Sequence, residues 1–184
     1  MVFISWYDAV LYANWLSEWR GLTPAYEIKR ETDPNNFSDI DQMKWTVKRQ
    51  KSADGFRLPT ESEWICAEFL TKETTRRLQF YDPSDPSIEL NGMLSSPLNR
   101  YDWILGWEWC WDWYDDYKMT SDNDKSVTLS DPIGPPSGSR RVVRGGSFNN
   151  EARNLRSANR NRNEPENRNR NLGFRCVRGS GRPP

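Results

Sequence analysis

Apolar residues recur along this chain with two different periods, and each change of period marks an element. Trp6, Ala9, Val10, Ala13 and Leu16 stand three and four residues apart, as on a helix with one buried face. Ser5-Trp6-Tyr7-Asp8 has the form of a capping box opening that helix, and Gly21 stops it near Arg20. A short strand is expected over Ala25 to Ile28. Residues 31 to 43 are polar, carry Asp33-Pro34 and read as loop. Lys44 to Arg49 alternates Trp45 and Val47 with polar residues, as a half-buried strand does.

A turn at Asp54-Gly55 begins the next unit, DGFRLPTESEW. Pro59 closes its extended part, and Thr60 to Glu63 is a second capping box for a helix reaching about Leu70. Residues 82 to 100 are irregular, with three prolines. WEWCWDWY, residues 107 to 114, alternates like a strand, and residues 115 to 140 read as loop. Arg141 to Arg144 and Leu172 to Val177 read as strands. Two early helices followed by short strands and long loops predict an α+β fold. Between the last two strands lies NRNRNEPENRNRN, residues 159 to 171, a palindrome written like neither an ordinary helix nor an ordinary strand.

Composition sharpens the contrast between that segment and the rest. The chain has 184 residues, which fits one domain over 1–184, and equal numbers of basic and acidic residues, 26 each. The charge is unevenly placed. From Arg140 onward there are twelve Arg, no Lys and three Glu, a local charge of +9 that leaves −9 for the first 139 residues. Ten Trp supply large rings for a core. Cys66, Cys110 and Cys176 are far apart and form no CxxC, which reads as buried free thiols rather than a disulfide framework or a zinc site.

The chain has no histidine, which removes the commonest general base and every His-containing metal site. Gly145-Gly146-Ser147 lacks the lysine and spacing of a phosphate loop. Glu61 and Glu63 are explained by a helix start, and the other acidic pairs are common surface features. Nucleic acid is disfavoured as a partner: no aromatic interleaves the Arg residues of 149 to 173, and the acidic body would repel phosphates. No stretch is long enough to cross a membrane, and the apolar start lacks a basic leader, so neither membrane insertion nor a signal peptide is expected.

What remains is polar recognition. Asn offers a donor and an acceptor on a short neutral side chain, and it tolerates loop backbone. Arg offers a planar fork of donors, which suits either ligand contact or the bracing of irregular backbone against carboxylates. In an extended segment Asn159, Asn161 and Asn163 would share one side, and Arg160 and Arg162 the other.

Together VFISWYDAVLYANWLSE, DGFRLPTESEWICAE, GWEWCWDWY and RVVRGGSF followed by LGFRCV resemble the sulfatase-modifying, formylglycine-generating enzyme family. The resemblance implies a C-type-lectin-like fold. The family's reactive cysteine pair would fall at Asn150 and Leu155, neither of which can act as a thiolate, so no catalytic residue and no catalysis are expected. Leu105-Gly106 replaces the glycine-asparagine pair before WEW, which counts against the family's structural calcium; no metal site and no cofactor are expected.

RGGSFNNEARNLRSANRNRNEPENRNRNLGFR also resembles the variable region of proteins diversified by retroelements, which use this same fold. There a reverse transcriptase miscopies adenines, so Asn codons become mutable; they can yield Arg, Ser or Phe but not Lys, Gln, Met or Trp, and 149 to 171 has none of those four. Glu151, Glu164 and Glu166 would be fixed by the template.

The resemblance thus implies a ligand-binding protein with a variable region over about 141–178. The expected contact residues are Phe148, Asn150, Arg153, Asn154, Asn159, Asn161, Arg162, Asn163, Asn167, Asn169 and Arg170. Phe148 stands either as an aromatic anchor or in the core. Arg156, Arg160 and Arg168 stand where the family has Arg and are expected to brace the loop. The expected ligand is a protein or glycan on another cell, with the domain displayed by a cell or a phage. The alternatives are a non-variable lectin-like module of the same family and a divergent enzyme.

Overall fold

A computed structural model describes residues 3–75, 106–116, 133–150 and 158–178. Helix α1 runs Trp6–Trp19. Its capping box is complete: the Asp8 amide donates to Ser5 Oγ at 3.0 Å, and the Ser5 amide donates to the Asp8 carboxylate at 2.9 Å. Trp6, Tyr7, Ala9, Val10, Ala13 and Ser17 form the buried stripe, and Gly21 ends the helix with φ +68°. Ser17 Oγ accepts from the Phe56 amide at 2.7 Å. A Cβ on Gly55 would stand 2.2 Å from the Thr23 carbonyl oxygen, so only glycine lets that turn close on α1.

Strands β1 (Tyr26–Thr32) and β2 (Trp45–Arg49) pair as an antiparallel hairpin, with Ile28 opposite Val47. β1 extends into the polar stretch expected to be loop, because pairing with β2 carries it past its apolar residues. A short β3 (Phe56–Arg57) leads into α2 (Glu61–Thr75), which extends beyond the expected end at Leu70. At its start the Arg57 guanidinium meets the Glu63 carboxylate with both forks at 2.6 Å. Burial pushes the Glu63 carboxyl up, but the bonds from Arg57 and from the Thr60 amide outweigh it and hold it below its ordinary value.

Strand β4 (Trp107–Trp113) is the centre of the molecule. Trp107 and Trp109 enter the main core with Trp6, Tyr7, Tyr26, Leu58 and Leu172. On the other face Cys110 joins Trp64 and Val142, while Glu108 accepts a bond from the Trp64 indole at 2.8 Å. The strict alternation in WEWCWDW thus serves two buried layers, one aromatic and one carrying two carboxylates.

Around β4 stand β5 (Arg141–Arg144), β6 (Arg160–Asn163) and β7 (Leu172–Gly173), in the order β6-β5-β4-β7; β7 runs parallel to β4 and the other pairs are antiparallel. β8 (Val177–Arg178) returns to pair with β3. The single strand expected over Leu172 to Val177 is therefore two short strands in two sheets. The palindrome, too, contains strand: β6 is built from its Arg160 to Asn163, because β5 offers a free edge to pair with.

Candidate functional site

The segment from Ala158 to Asn171 crosses the molecule in three anchored steps. The first is β6, in register with β5: Arg160 faces Arg144, Asn161 Val143, Arg162 Val142 and Asn163 Arg141. Arg160 reaches down to Glu61 at the head of α2, with Nε and Nη2 at 2.7 and 2.8 Å from the two carboxylate oxygens. Glu61 also receives Arg144, whose Nε is 3.5 Å from Oε1. Both Glu61 and Arg144 are buried, so this is an ion cluster inside the fold rather than on its surface.

The second step is the turn at Glu164 and Pro165, both buried. Glu164 accepts from Arg140 Nε at 2.7 Å and from Ser38 Oγ, and the Pro165 carbonyl receives the Trp6 amide at 2.9 Å. The third is Arg168, whose guanidinium bonds both oxygens of Asp8 at 2.7 and 2.9 Å. Burial raises the Asp8 carboxyl, but the bonds from Arg168 and Ser5 outweigh it and leave it below its ordinary value. Asp8 thus closes the capping box of α1 and holds the far end of the ribbon together.

Between these anchors the Asn side chains bond locally. The Arg162 amide donates to Asn161 Oδ1 at 2.9 Å, and the Glu164 amide to Asn163 Oδ1 at 3.0 Å. On an edge strand such amides would otherwise be open to another strand, so the Asn-X rhythm closes that edge. Asn167 donates to Asn163 Oδ1. Asn171 donates to Ser147 Oγ at 3.1 Å and to Asn149 Oδ1 at 2.9 Å, tying the ribbon's end to the turn after β5. Gly106 permits this end to approach: a Cβ there would lie 2.7 Å from the Asn171 carbonyl oxygen.

Two groups of exposed side chains result. One joins Phe148, Asn149, Asn169 and Arg170, with the Arg170 guanidinium 5.6 Å from the Phe148 ring centre. Phe148 is 51% exposed, which separates it from the core. The other joins Asn161 and Arg162, with the Arg162 guanidinium 4.8 Å from the Tyr114 ring and that of Arg160 at 4.2 Å from the same ring. Asn150, Asn159, Asn163 and Asn167 are half-buried. The Asn150 side chain accepts from Ser147 Oγ at 2.6 Å, and the Asn159 carbonyl accepts from Arg144 at 2.8 Å. Arg153, Asn154 and Arg156 lie outside the described residues.

Sequence reasoning missed Asn149 and Tyr114, and it treated Glu61 as a helix-start acid alone. Only pairing across 99 positions shows that Glu61 serves Arg160. Beneath the surface, Asp112 accepts the Glu61 amide at 2.7 Å; burial pushes its carboxyl up to about 7, against the lowering effect of that bond and helped by the Glu61 charge. Arg141 is enclosed by Trp6 and Trp113, with centroid distances of 3.9 and 3.4 Å, and burial lowers its guanidinium to about 9.

The cysteines are free, but Cys66 is exposed rather than buried as expected, because it lies on the outward side of α2; burial pushes the Cys110 thiol well up and that of Cys176 up to about 11. Among the described residues no three His, Cys, Asp or Glu are grouped to hold a metal ion. No helix among them is long and apolar enough to cross a membrane.

This arrangement of two helices, short strands and a ribbon braced over the sheet is an α+β fold of the C-type-lectin-like, formylglycine-generating-enzyme-like class. The chain belongs to the sulfatase-modifying factor enzyme 1-like domain family, whose model matches residues 1–85 and 98–180. Among solved structures it is similar to Treponema denticola variable protein 1, with a TM-score of 0.62 and 27% identity over 96% of this chain and 69% of that one. The chain therefore resembles a variable protein of this fold as well as the family's enzymes.

Among curated relatives, the chaperone protein LppX of Paenibacillus barcinonensis is 31% identical over 60% of this chain and 51% of its own length. The serine/threonine-protein kinase Pkn1 of Chlamydia trachomatis is 30% identical over 97% of this chain and 24% of its own length. The formylglycine-generating enzyme of Thermomonospora curvata is 26% identical over 96% of this chain and 54% of its own length. The chain thus spans about half, or less, of the length of these curated relatives.

Proposed function

We propose that this chain is a ligand-binding domain over 1–184, with a C-terminal surface within about 141–178 diversified through its Asn codons by a retroelement, and that it performs no catalysis. The observation that carries the reading is the division of labour in the ribbon. Arg160, Glu164 and Arg168 are tied into the scaffold, whereas Phe148, Asn161, Arg162, Asn169 and Arg170 are exposed. Such a division lets contact residues change while the frame persists, as in an antibody paratope. Asn150, Asn159, Asn163 and Asn167 are partly covered contacts in this reading, and Arg153 and Asn154 complete the set. Arg156 joins the braces. The two described Glu of the ribbon fit template-fixed positions, since Glu164 holds Arg140 and Ser38 and Glu166 accepts the Gln42 amide.

The partner is a protein or glycan, displayed on a cell surface, rather than nucleic acid. The absence of catalysis rests on Asn150 and Leu155 standing where the family's enzymes carry their reactive cysteine pair.

Sequencing sister clones and the DNA flanking the C-terminal codons tests the reading. The expected result is a near-identical repeat that differs at adenines, beside a reverse transcriptase gene, with clones differing at Asn161 and Asn169 but not at Glu164. Identical Asn codons in every clone would falsify diversification. Formylglycine formation on a sulfatase-type peptide would overturn the non-catalytic reading.

A further inference from the structure

The exposed face has a charge character that follows from how its arginines are paired. Arg140, Arg144, Arg160, Arg168, Arg175 and Arg178 each lie within 4 Å of a carboxylate of the chain itself. Arg162 and Arg170 differ. Both are exposed, and neither has a carboxylate within that distance among the described residues. Each instead lies over an aromatic ring, Arg162 over Tyr114 and Arg170 over Phe148. A ring contact orients a guanidinium while leaving its fork of donors unused.

Building on the ligand-binding reading above, we propose that the ligand of this face is an acidic protein segment, which sets carboxylates against Arg162 and Arg170 and an apolar side chain against Phe148. Three observations choose this partner. The two unneutralised guanidinium groups match carboxylates in bidentate geometry. Phe148, half exposed beside Arg170, supplies an apolar anchor, which an aliphatic or aromatic side chain of a protein segment covers more completely than the hydroxyl-bearing ring of a sulfated glycan. The Asn161 and Asn163 side chains already occupy the amides of Arg162 and Glu164, so recognition at β6 goes through side chains rather than through an added strand.

The test selects short peptides from a random displayed library against the full chain, with heparin as a sulfated-polysaccharide probe in parallel. The selected peptides are expected to be enriched in Asp and Glu next to aromatic or aliphatic residues. A synthetic copy of the best peptide should bind about tenfold more weakly to Arg162→Gln and to Arg170→Gln, and more weakly as salt rises. All four positions probed are exposed, so unchanged thermal unfolding of each variant is the control for folding.

Peptides that lose binding with Phe148→Ser or Asn161→Ala but show no acidic enrichment, and that ignore both Arg substitutions, overturn the acidic ligand and leave the binding surface standing. Peptides indifferent to all four substitutions overturn the binding surface as well. Failure to enrich any peptide, or arginine-dependent retention by heparin alone, overturns the protein ligand.

Discussion

Glu61 receives two guanidinium groups, from Arg144 and Arg160, while its own amide donates to Asp112. Removing its charge would leave Arg144 enclosed with no equivalent partner. Glu61→Gln is therefore expected to destabilise the fold by about 3–5 kcal/mol, the range for breaking a buried ion pair, read as a lower denaturant midpoint. Asn161→Ser and Asn169→Ser, at exposed positions, should stay within about 0.5 kcal/mol of the parent. Asp112 adds a pH signature. Its folded value near 7 lies above its ordinary value of 3.8, so the folded state binds the proton more tightly than the unfolded chain does. That contribution is fully present below about 4 and is lost as pH rises through about 7. Asp112→Asn should flatten this loss when unfolding is followed from pH 4 to 8; an unchanged slope would show that other groups set it.

At the scale of elements, β6 shows how a strand with no apolar residue can be held. Its sequence, RNRN, buries nothing of its own, and period-two hydrophobicity could not have found it. Pairing with the buried β5 supplies the ladder, and Arg160 supplies the anchor. Asn161 and Asn163 close the edge by capping the following amides. Replacing both with Val keeps β propensity but removes the caps, and should produce concentration-dependent association beyond that of the parent in size-exclusion chromatography; a variant that elutes as the parent does at high concentration would show that the caps do not guard the edge. By contrast α1 and α2 were legible, because each carries its capping box within a few residues, and α1 its buried stripe as well. β4 was legible through its tryptophans, although two buried faces, not one, account for its alternation.

Across the whole molecule the uneven charge resolves into internal pairing. Carboxylates of the acidic body, Asp8, Asp54, Glu61, Glu68 and Glu108, neutralise Arg168, Arg178, Arg160 and Arg175 of the basic end. The asymmetry in the sequence is thus the trace of a C-terminal ribbon laid over an N-terminal scaffold, and among the described residues of the basic end the exposed guanidinium groups left without a carboxylate are Arg162 and Arg170.

Local order was written into the sequence because helix caps, turn glycines and hydrophobic period act over a few residues. The α+β class and the aromatic core follow from those signals, and the motifs GFRLPTESEW and RGGSF with LGFR were enough to point to the family. The family resemblance already pointed to Arg160 and Arg168 as braces and to Arg162 and Arg170 as contacts, but which carboxylates hold the braces was decided only by the tertiary structure. Arg160 and Arg162 are the same residue type two positions apart, yet one pairs with a carboxylate 99 residues away and the other rests on Tyr114. A guanidinium's role is set by whether a charge lies within its reach in space, and that distance exists only once the chain has folded.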